Sequence, residues 1–332
     1  MIAQLDPLYL KMRPTKAITR LVSQFLFEGR PVPARWQWTN YISTVFLKVG
    51  LHVPGVKTVK KPILILGTGR SGTTILGKVL SMHRDIGLLN EPKLLWHIAY
   101  ADEDLAGSYS RGIAYYRLGA EAATEKVCRA IRHMYGFYLT CVRCERVLDK
   151  YPEMIFRVPF ALSILPDAKF VLIVRNGSDT AHSIAWWSQQ YSRVAKNGDT
   201  YTWWGVNNRK WNLLLEQLVA TDPFLGPSYN DIKCLSQEID KAAVEWIVSM
   251  REGLRVMEQF PQHVHLVQYE KLVAHPERTL NRVMDFCDLP SDETAVAYAS
   301  RILYPQPPKP PLNLAHSIVP VFEDTMRLVG YL

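Results

Sequence analysis

The chain is poor in cysteine. It has five cysteines among 332 residues, and an odd number in a chain of this length is typical of a protein whose thiols stay reduced. Cys141 and Cys144 form a single CxxC pair, whereas a structural zinc site needs four ligands. Ordinary helix packing is therefore preferred over zinc binding for this pair.

Targeting signals and long apolar runs are also missing from the pattern. The apolar positions near the N-terminus are interrupted by four basic residues, Lys11, Arg13, Lys16 and Arg20. This is not the layout of a secretory signal, and the apolar segment 41–51 is far shorter than the ~20 residues of a membrane-spanning helix. We therefore expect a cytoplasmic protein. Residues 1–50 either pack on the main domain or rest peripherally on a membrane as basic amphipathic helices.

Features of a nucleic-acid-binding module are missing as well, since the chain has no basic run, zinc-finger spacing or heptad repeat. Its formal net charge is +8, which bears on partners rather than on fold. The excess charge has two interpretations, a solvated surface or a preference for anionic ligands or an anionic membrane. Nucleic acid is not among the expected partners.

Short apolar runs alternate with helical patterns along most of the chain. Strands are predicted at 63–66, 86–89, 169–174 and 263–268, with a strand-like piece at 154–157. Helices are predicted at 73–82, from about 178, at 242–259 and at 275–286, and residues 93–150 are expected to be mostly helical. All-apolar strands are typical of a parallel sheet that is covered on both faces. The pattern predicts an α/β fold with a central, mainly parallel sheet flanked by helices, in a domain at 59–332 that follows a helical extension at 1–58.

The most informative motif is the glycine-rich loop GTGRSGTT at 67–74, between a predicted strand and a predicted helix. Such a loop presents backbone N–H groups to a phosphate at a helix N-terminus. Gly67 and Gly72 have the spacing of a loop that binds ATP or GTP, but the position of its lysine is taken by Thr73. The cation is Arg70, inside the loop. The motif is either a simple tight turn or a phosphate-binding loop. As a phosphate-binding loop without the lysine, it does not indicate a nucleoside triphosphatase.

A second motif, VRNGSDTAHS, follows the strand predicted at 169–174. Ligands of open α/β sheets bind at the carboxyl ends of the strands. Arg175 and Ser183 are expected to converge on one anion, because a guanidinium offers a fork of donors and a hydroxyl a single one. The alternatives are a surface ion pair for Arg175 and a bond from Ser183 to its own helix. Two anion sites on one sheet indicate a ligand with phosphates at two places.

Together the two motifs resemble those of the sulfotransferase family that uses 3′-phosphoadenosine 5′-phosphosulfate (PAPS). The resemblance runs from about residue 60 to the C-terminus and includes PDAKFVLIVR, the segment YEKLVAHPERTLNRVMDFCDL and the closing RLVGYL. It implies a three-layer P-loop fold, the product 3′,5′-adenosine bisphosphate and no required metal. It implies that the 3′-phosphate is bound by Arg175 and Ser183, and the 5′-phosphosulfate by Gly67, Gly69, Arg70, Ser71, Gly72, Thr73 and Thr74.

Glu91 is the candidate base, since it follows the strand predicted at 86–89 and lies at the same sheet edge as both loops. Pro92 is expected to hold its backbone extended. The resemblance implies that a glutamate at this position takes the proton from the acceptor hydroxyl. The segment EPKLLWHIAY is similar to the pattern of the Golgi-type branch, and the chain as a whole resembles a bacterial-type member of the family. The cytosolic branch uses histidine, so His97 is the alternative base. Packing for His97, and a surface or capping role for Glu91, stay open.

The acceptor is left open by the sequence. We expect a hydroxyl group of a glycan, a lipid or another small molecule, with Arg70 stabilising the charge on the leaving oxygen. The tryptophan-rich segment 186–211 either walls the acceptor cleft or packs in the core, and the proline loop 305–311 either covers the cofactor or connects two elements. Arg157 is a cofactor contact or a surface residue.

Two rival functions remain at this point. A P-loop kinase or nucleoside triphosphatase is disfavoured because Thr73 replaces the lysine and the strand at 169–174 is followed directly by Arg175 rather than by a metal-binding aspartate. A non-catalytic anion-binding protein of the same fold is disfavoured by the set Arg70, Glu91, Arg175 and Ser183.

Overall fold

A computed structural model of the chain describes residues 4–32 and 37–332. The strands are β1 (Ile63–Gly67), β2 (Ile86–Asn90), β3 (Arg146–Lys150), β4 (Lys169–Val174), β5 (Arg193–Val194), β6 (Thr200–Thr202), β7 (Gly205–Val206) and β8 (Val264–Gln268). The helices are α1 (Pro7–Met12), α2 (Pro14–Val22), α3 (Thr39–Gly50), α4 (Thr73–Leu80), α5 (Lys93–Ala99), α6 (Glu125–Val142), α7 (Val158–Ile164), α8 (Gly177–Tyr191), α9 (Arg209–Leu214), α10 (Tyr229–Lys233), α11 (Glu238–Gln259), α12 (Tyr269–Ala274), α13 (Pro276–Phe286), α14 (Glu293–Ile302) and α15 (Val319–Leu328). A π-helical turn, Ser23–Phe27, continues α2.

The central sheet has five parallel strands in the order β2-β3-β1-β4-β8. Strands β5, β6 and β7 form a separate small antiparallel sheet. The predicted α/β class with a central, mainly parallel sheet is thereby confirmed. All five carboxyl ends lie at one edge, which gathers the loops that follow them.

Side-chain alternation along β1 explains why both faces of the sheet are covered. Leu64 and Leu66 belong to one buried cluster, and Ile63 and Ile65 belong to the other. Successive residues of a strand point to opposite faces, so an all-apolar strand needs helices on both sides. The result is a three-layer arrangement with the sheet between two helical layers.

The sequence prediction was wrong at two places between residues 93 and 157. The segment predicted as mostly helical contains β3, and the strand-like piece at 154–157 lies in the 3₁₀ turn Pro152–Arg157. Only Val147 and Leu148 are apolar in β3, whose buried residues include the charged Asp149 and Lys150. A strand that buries charge has little apolar pattern, and for this reason it was missed.

The N-terminal helices pack on the α/β unit. Tyr9 lies in one of its buried clusters, while Phe27 and Leu47 lie in the other. The predicted domain boundary between residues 58 and 59 stays a prediction, as does a cytoplasmic location. In the part of the chain that the structure describes, no helix has the length and apolar character needed to cross a bilayer.

Asp149 makes stability depend on pH. Burial raises the pKa of its carboxyl to about 7, against the opposing effect of hydrogen bonds from Tyr135 and Trp96. The folded-state pKa lies above the unfolded value of 3.8. The contribution of Asp149 to the free energy of unfolding is therefore fully present below the unfolded pKa and is lost as the pH rises through the folded-state pKa of about 7. Between pH 5 and pH 8 the free energy of unfolding of the wild type should fall. We expect this fall to be smaller in Asp149→Asn, by about 1 to 4 kcal/mol.

Denaturant titrations at several pH values measure this effect. Asp285→Asn, at an exposed position of α13, is the control and should keep the wild-type pH dependence. An equally steep loss of stability in Asp149→Asn would contradict the assignment.

Candidate active site

A cleft of ≈ 990 Å³ opens at the carboxyl edge of the sheet. It is lined by the glycine-rich loop, by Glu91, Arg175 and Ser183, and by Trp187 and Trp203 from the tryptophan-rich segment. The structure therefore brings both predicted anion-binding motifs and the candidate base into one cavity.

The loop after β1 has the backbone shape of an anion cradle. Gly72 has φ +100° and Arg70 has φ +69°, a left-handed region that costs little for glycine but strains other residues. A Cβ on Gly72 would lie 2.4 Å from the ring of Tyr269. Gly72 gives α4 no side-chain cap, so the N–H groups of its first turn, at Thr73 and Thr74, are available to a ligand in the cleft.

The two motifs make direct contact through Arg70. Nε of Arg70 donates to Oγ of Ser183 at 3.2 Å, and Nη1 of Arg175 donates to the carbonyl oxygen of Arg70 at 3.3 Å. Arg70 is exposed to the cleft. Partial loss of water and the charge of Arg175 lower the pKa of the Arg70 guanidinium, while Glu91 acts in the opposite direction. Ser183 thus meets Arg70, where the sequence had paired it with Arg175.

The position of Arg175 also points to an anion. Its guanidinium stacks on Tyr269, with 4.5 Å to the ring centre, and lies 3.6 Å from the carboxylate of Asp179. Nine buried side-chain nitrogen and oxygen atoms lack a hydrogen-bond partner in the described part of the chain, and two of them, Nε of Arg175 and Oγ1 of Thr68, belong to residues that line the cleft. Buried polar groups are normally satisfied, so these two atoms fit a ligand with acceptor oxygens.

Glu91 sits in strained backbone beside a buried lysine. Its φ is +55°, which corrects the extended conformation expected from Pro92. Asn90 pairs in register with Lys150, so Nζ of Lys150 contacts Oε1 of Glu91 directly. Burial acts to raise the pKa of Glu91, but the charges of Lys150 and Lys93 outweigh it, and the pKa lies below its usual value.

A row of alternating charges continues from Glu91 along the cleft wall. Lys93 lies 3.7 Å from Glu91 and 3.0 Å from Glu153, and Glu153 lies 3.8 Å from Lys210. Burial acts to raise the pKa of Glu153, but Lys93 and Lys210 hold it at about 2. These residues are charged yet paired, so this wall is electrostatically balanced.

The row ends at the glycine-rich loop. Lys210 pairs with Glu245 at 2.5 Å, and Glu245 accepts a hydrogen bond of 2.6 Å from Nε1 of Trp203. A Cβ on Gly69 would lie 2.5 Å from the Trp203 ring, so the indole packs closely on the loop. Trp203 therefore joins the charged wall to the anion cradle.

Other sequence candidates lie away from the cleft. The ring of His97 does not line the cavity, and its Nδ1 is 3.1 Å from the carbonyl oxygen of Ala101. Arg157 is fully buried, pairing with Glu103 at 3.1 Å, so it is neither a surface residue nor a cleft residue. In the tryptophan-rich segment 186–211, Trp187 and Trp203 line the cleft, whereas Trp204 and Trp211 are in the core and Trp186 is exposed outside the cleft.

The proline loop 305–311 lies against α8. The backbone N–H of Lys309 donates to Asp179 at 2.8 Å, and Nε2 of His182 is 3.1 Å from the carbonyl oxygen of Pro310. The loop is thus held at Asp179, in the first turn of α8 and four residues after Arg175. A role of the loop in covering a ligand stays a prediction. In the two described ranges, no group of three or more His, Cys, Asp or Glu residues is arranged to hold a metal ion.

A comparison with known protein families gives the family of the chain. The family model described as "Sulfotransferase family" matches residues 62–223 and 221–293, which is well over half of the chain. The chain belongs to the sulfotransferase family. The matched residues include both predicted anion-binding motifs, Glu91 and Lys150.

Among curated relatives of this sulfotransferase-family chain, the protein-tyrosine sulfotransferase of Drosophila melanogaster is 22% identical over 246 residues, covering 73% of this chain and 41% of that protein. The nodulation protein NoeE of Sinorhizobium fredii is 25% identical over 233 residues, covering 66% and 48%. The chain spans 27%, 41% and 60% of the length of the first three curated relatives it matches. Among solved structures, sulfotransferase STF9 from Mycobacterium avium matches with a TM-score of 0.48 at 12% identity, covering 99% of this chain and 96% of that one.

Lys150 is the residue that the sequence analysis missed, and its effect on Glu91 is measurable. We expect Lys150→Met to raise the pKa of the Glu91 carboxyl, because burial then acts with less opposing charge. Carboxyl carbon NMR titrations of glutamate-labelled protein measure the shift, with Glu91→Gln identifying the signal. Lys93→Met is the matched control and should raise the pKa less, since Lys93 is farther from Glu91 and is shared with Glu153. A pKa that stays constant in Lys150→Met would contradict the pairing.

Proposed function

We propose that the protein transfers a sulfuryl group from PAPS to a hydroxyl group of an acceptor. The observation that carries this proposal is the meeting of Arg70, Ser183 and Arg175 in one cleft with Glu91. The unpartnered Nε of Arg175 and the open first turn of α4 fit the phosphate groups of such a donor. When bound, PAPS supplies the sulfuryl group and leaves as 3′,5′-adenosine bisphosphate.

The loop residues have separate tasks in this proposal. The N–H groups of the loop and of Thr73 and Thr74 hold the 5′-phosphosulfate, as donors at a helix N-terminus do. Arg70 stabilises the charge that develops on the bridging oxygen of the leaving group. Arg175 and Ser183 hold the 3′-phosphate, with the guanidinium already oriented by the ring of Tyr269 and by Asp179.

Glu91 is the proposed base. Its lowered pKa keeps the carboxylate ionised at neutral pH, so it can accept the proton of the acceptor hydroxyl. Lys150 holds the carboxylate at the cleft wall. The geometry favours Glu91 over His97, since Glu91 lines the cleft and His97 does not.

The acceptor class is proposed from the paired charges of the wall. Lys93 and Lys210 are each neutralised by glutamates, which suits an uncharged hydroxyl compound such as a carbohydrate or a lipid alcohol. The curated relatives named protein-tyrosine sulfotransferases make a tyrosyl hydroxyl the second candidate. A mass-gain screen of both classes with labelled donor distinguishes them.

Replacing the base tests the chemical step. Glu91→Gln should lower turnover by about 10²–10⁴-fold, the usual range for a lost general base, while affinity for 3′,5′-adenosine bisphosphate stays within about twofold, because Glu91 takes no part in phosphate binding. Single-turnover sulfation and calorimetry measure the two quantities. His97→Gln is the matched control, and normal turnover in Glu91→Gln would reject this base.

Replacing Arg175 tests the donor site. Arg175→Ala should weaken binding of 3′,5′-adenosine bisphosphate by about 1.5–3 kcal/mol, as expected when a charged hydrogen bond is lost. Arg301→Ala, at an exposed position in the last turn of α14, is the matched control and should bind as tightly as wild type. Calorimetry checks both, and unchanged affinity in Arg175→Ala would remove the 3′-phosphate assignment. Binding of ATP with magnesium dependence, without binding of the bisphosphate, would favour a kinase or nucleoside triphosphatase instead.

A further inference from the structure

The N-terminal helices expose an apolar surface that the fold leaves uncovered. Of the eighteen large apolar side chains exposed in the described part of the chain, nine lie within residues 10–49. Eight of these lie on two adjoining helical segments and are called here the N-terminal apolar face: Ile18, Leu21, Phe25, Trp38, Tyr41, Ile42, Val45 and Val49. Exposed apolar patches of this kind mark interaction sites.

The exposed side of α3 is continuous. Trp38, Tyr41, Ile42, Val45 and Val49 recur at three- and four-residue spacing, which places them within an arc of about 100° on a helix of 3.6 residues per turn. The opposite side of the helix carries Ser43 and Leu47, which are buried. The helix therefore buries one side against the fold and exposes an apolar strip on the other.

The second segment lies beside α3. Oγ of Ser43 donates to the carbonyl oxygen of Phe25 at 2.9 Å, and the rings of Phe27 and Phe46 are in edge contact at 5.4 Å. Ile18, Leu21 and Phe25 recur at helical spacing along the outer side of α2 and its π-helical turn. The two exposed rows thus belong to two helices that are fixed to each other.

The charge around this face has one sign. Residues 4–60 contain two carboxylates, Asp6 and Glu28, and both are in ion pairs, with Lys78 at 2.5 Å and with Arg20 at 2.8 Å. Lys48 is exposed on α3, and the guanidinium of Arg30 lies over the ring of Phe25, 5.5 Å from its centre. An apolar strip with cationic flanks matches the interface of an anionic bilayer, where side chains enter the acyl boundary and lysines meet phosphate groups.

We propose that the N-terminal apolar face binds the surface of an anionic membrane, with α2 and α3 lying in its plane. A second copy of the chain fits less well, because pairing two such faces would bring their lysines together. The segment after the π-helical turn also forms part of the cleft wall, through Pro31 and Val32. Binding by this face would bring the cleft close to the lipid, which suits a lipid-borne acceptor if the proposed function holds.

Vesicle flotation tests the face without requiring catalysis. The full chain should float with vesicles containing phosphatidylglycerol, less with pure phosphatidylcholine, and less again as salt is raised. Val45→Glu and Leu328→Glu form a matched pair, since each adds one carboxylate at an aliphatic position that is 45% or 54% exposed. Val45→Glu should lower the bound fraction by about tenfold or more, because a charge enters the apolar side, whereas Leu328→Glu on α15 should bind like wild type.

Thermal unfolding and binding of 3′,5′-adenosine bisphosphate, measured on the same samples, show that the variants are folded and that the proposed donor site is intact. Equal flotation of Val45→Glu and wild type, or negligible flotation of both, would overturn the proposal. A dimer of the wild type that dissociates in Val45→Glu, without lipid binding, would assign the face to a second copy of the chain. Failure of the wild type to bind 3′,5′-adenosine bisphosphate would reject the proposed function but would not affect the membrane result.

Discussion

The contact between Lys150 and Glu91 is the interaction on which the rest of the cleft depends. It exists because β2 and β3 are parallel neighbours whose last residues are in register. A buried ammonium needs a carboxylate beside it, so the sheet itself holds Glu91 in its strained conformation. From this pair the alternating charges extend to Glu245 and Trp203, and the position of the candidate base is thereby tied to the position of the loop.

The two sides of the cleft differ in electrostatic character. On the loop side, Arg70 and Arg175 lie next to each other, and the repulsion between them favours a ligand that carries negative charge. On the opposite wall, lysines and glutamates neutralise one another. Under the proposed function, this asymmetry suits a donor held by charge on the loop side and an acceptor held by shape and hydrogen bonds on the opposite wall.

Much of this arrangement was predictable from the sequence, and the residues show why. The strands at 63–66 and 169–174 are all apolar because both faces are covered, and the glycines with Arg70 identify the loop without any tertiary information. The strand Arg146–Lys150 was missed because its buried charges find partners in other elements, which no local pattern shows. The same reason hid Lys150 and the Arg70–Ser183 contact, whereas Arg157 was misjudged because its buried partner Glu103 is distant in sequence.

The packing of Trp203 on Gly69 has an optical consequence. An indole emits according to the polarity and charge around it, and this one lies between a glutamate, a lysine 4.9 Å from its ring and the glycine-rich loop. Under the proposed function, an anion bound in the loop would change the electric field at this ring, so the fluorescence of Trp203 is expected to respond to donor binding. The residue that closes the charged wall is in this sense also a native reporter group.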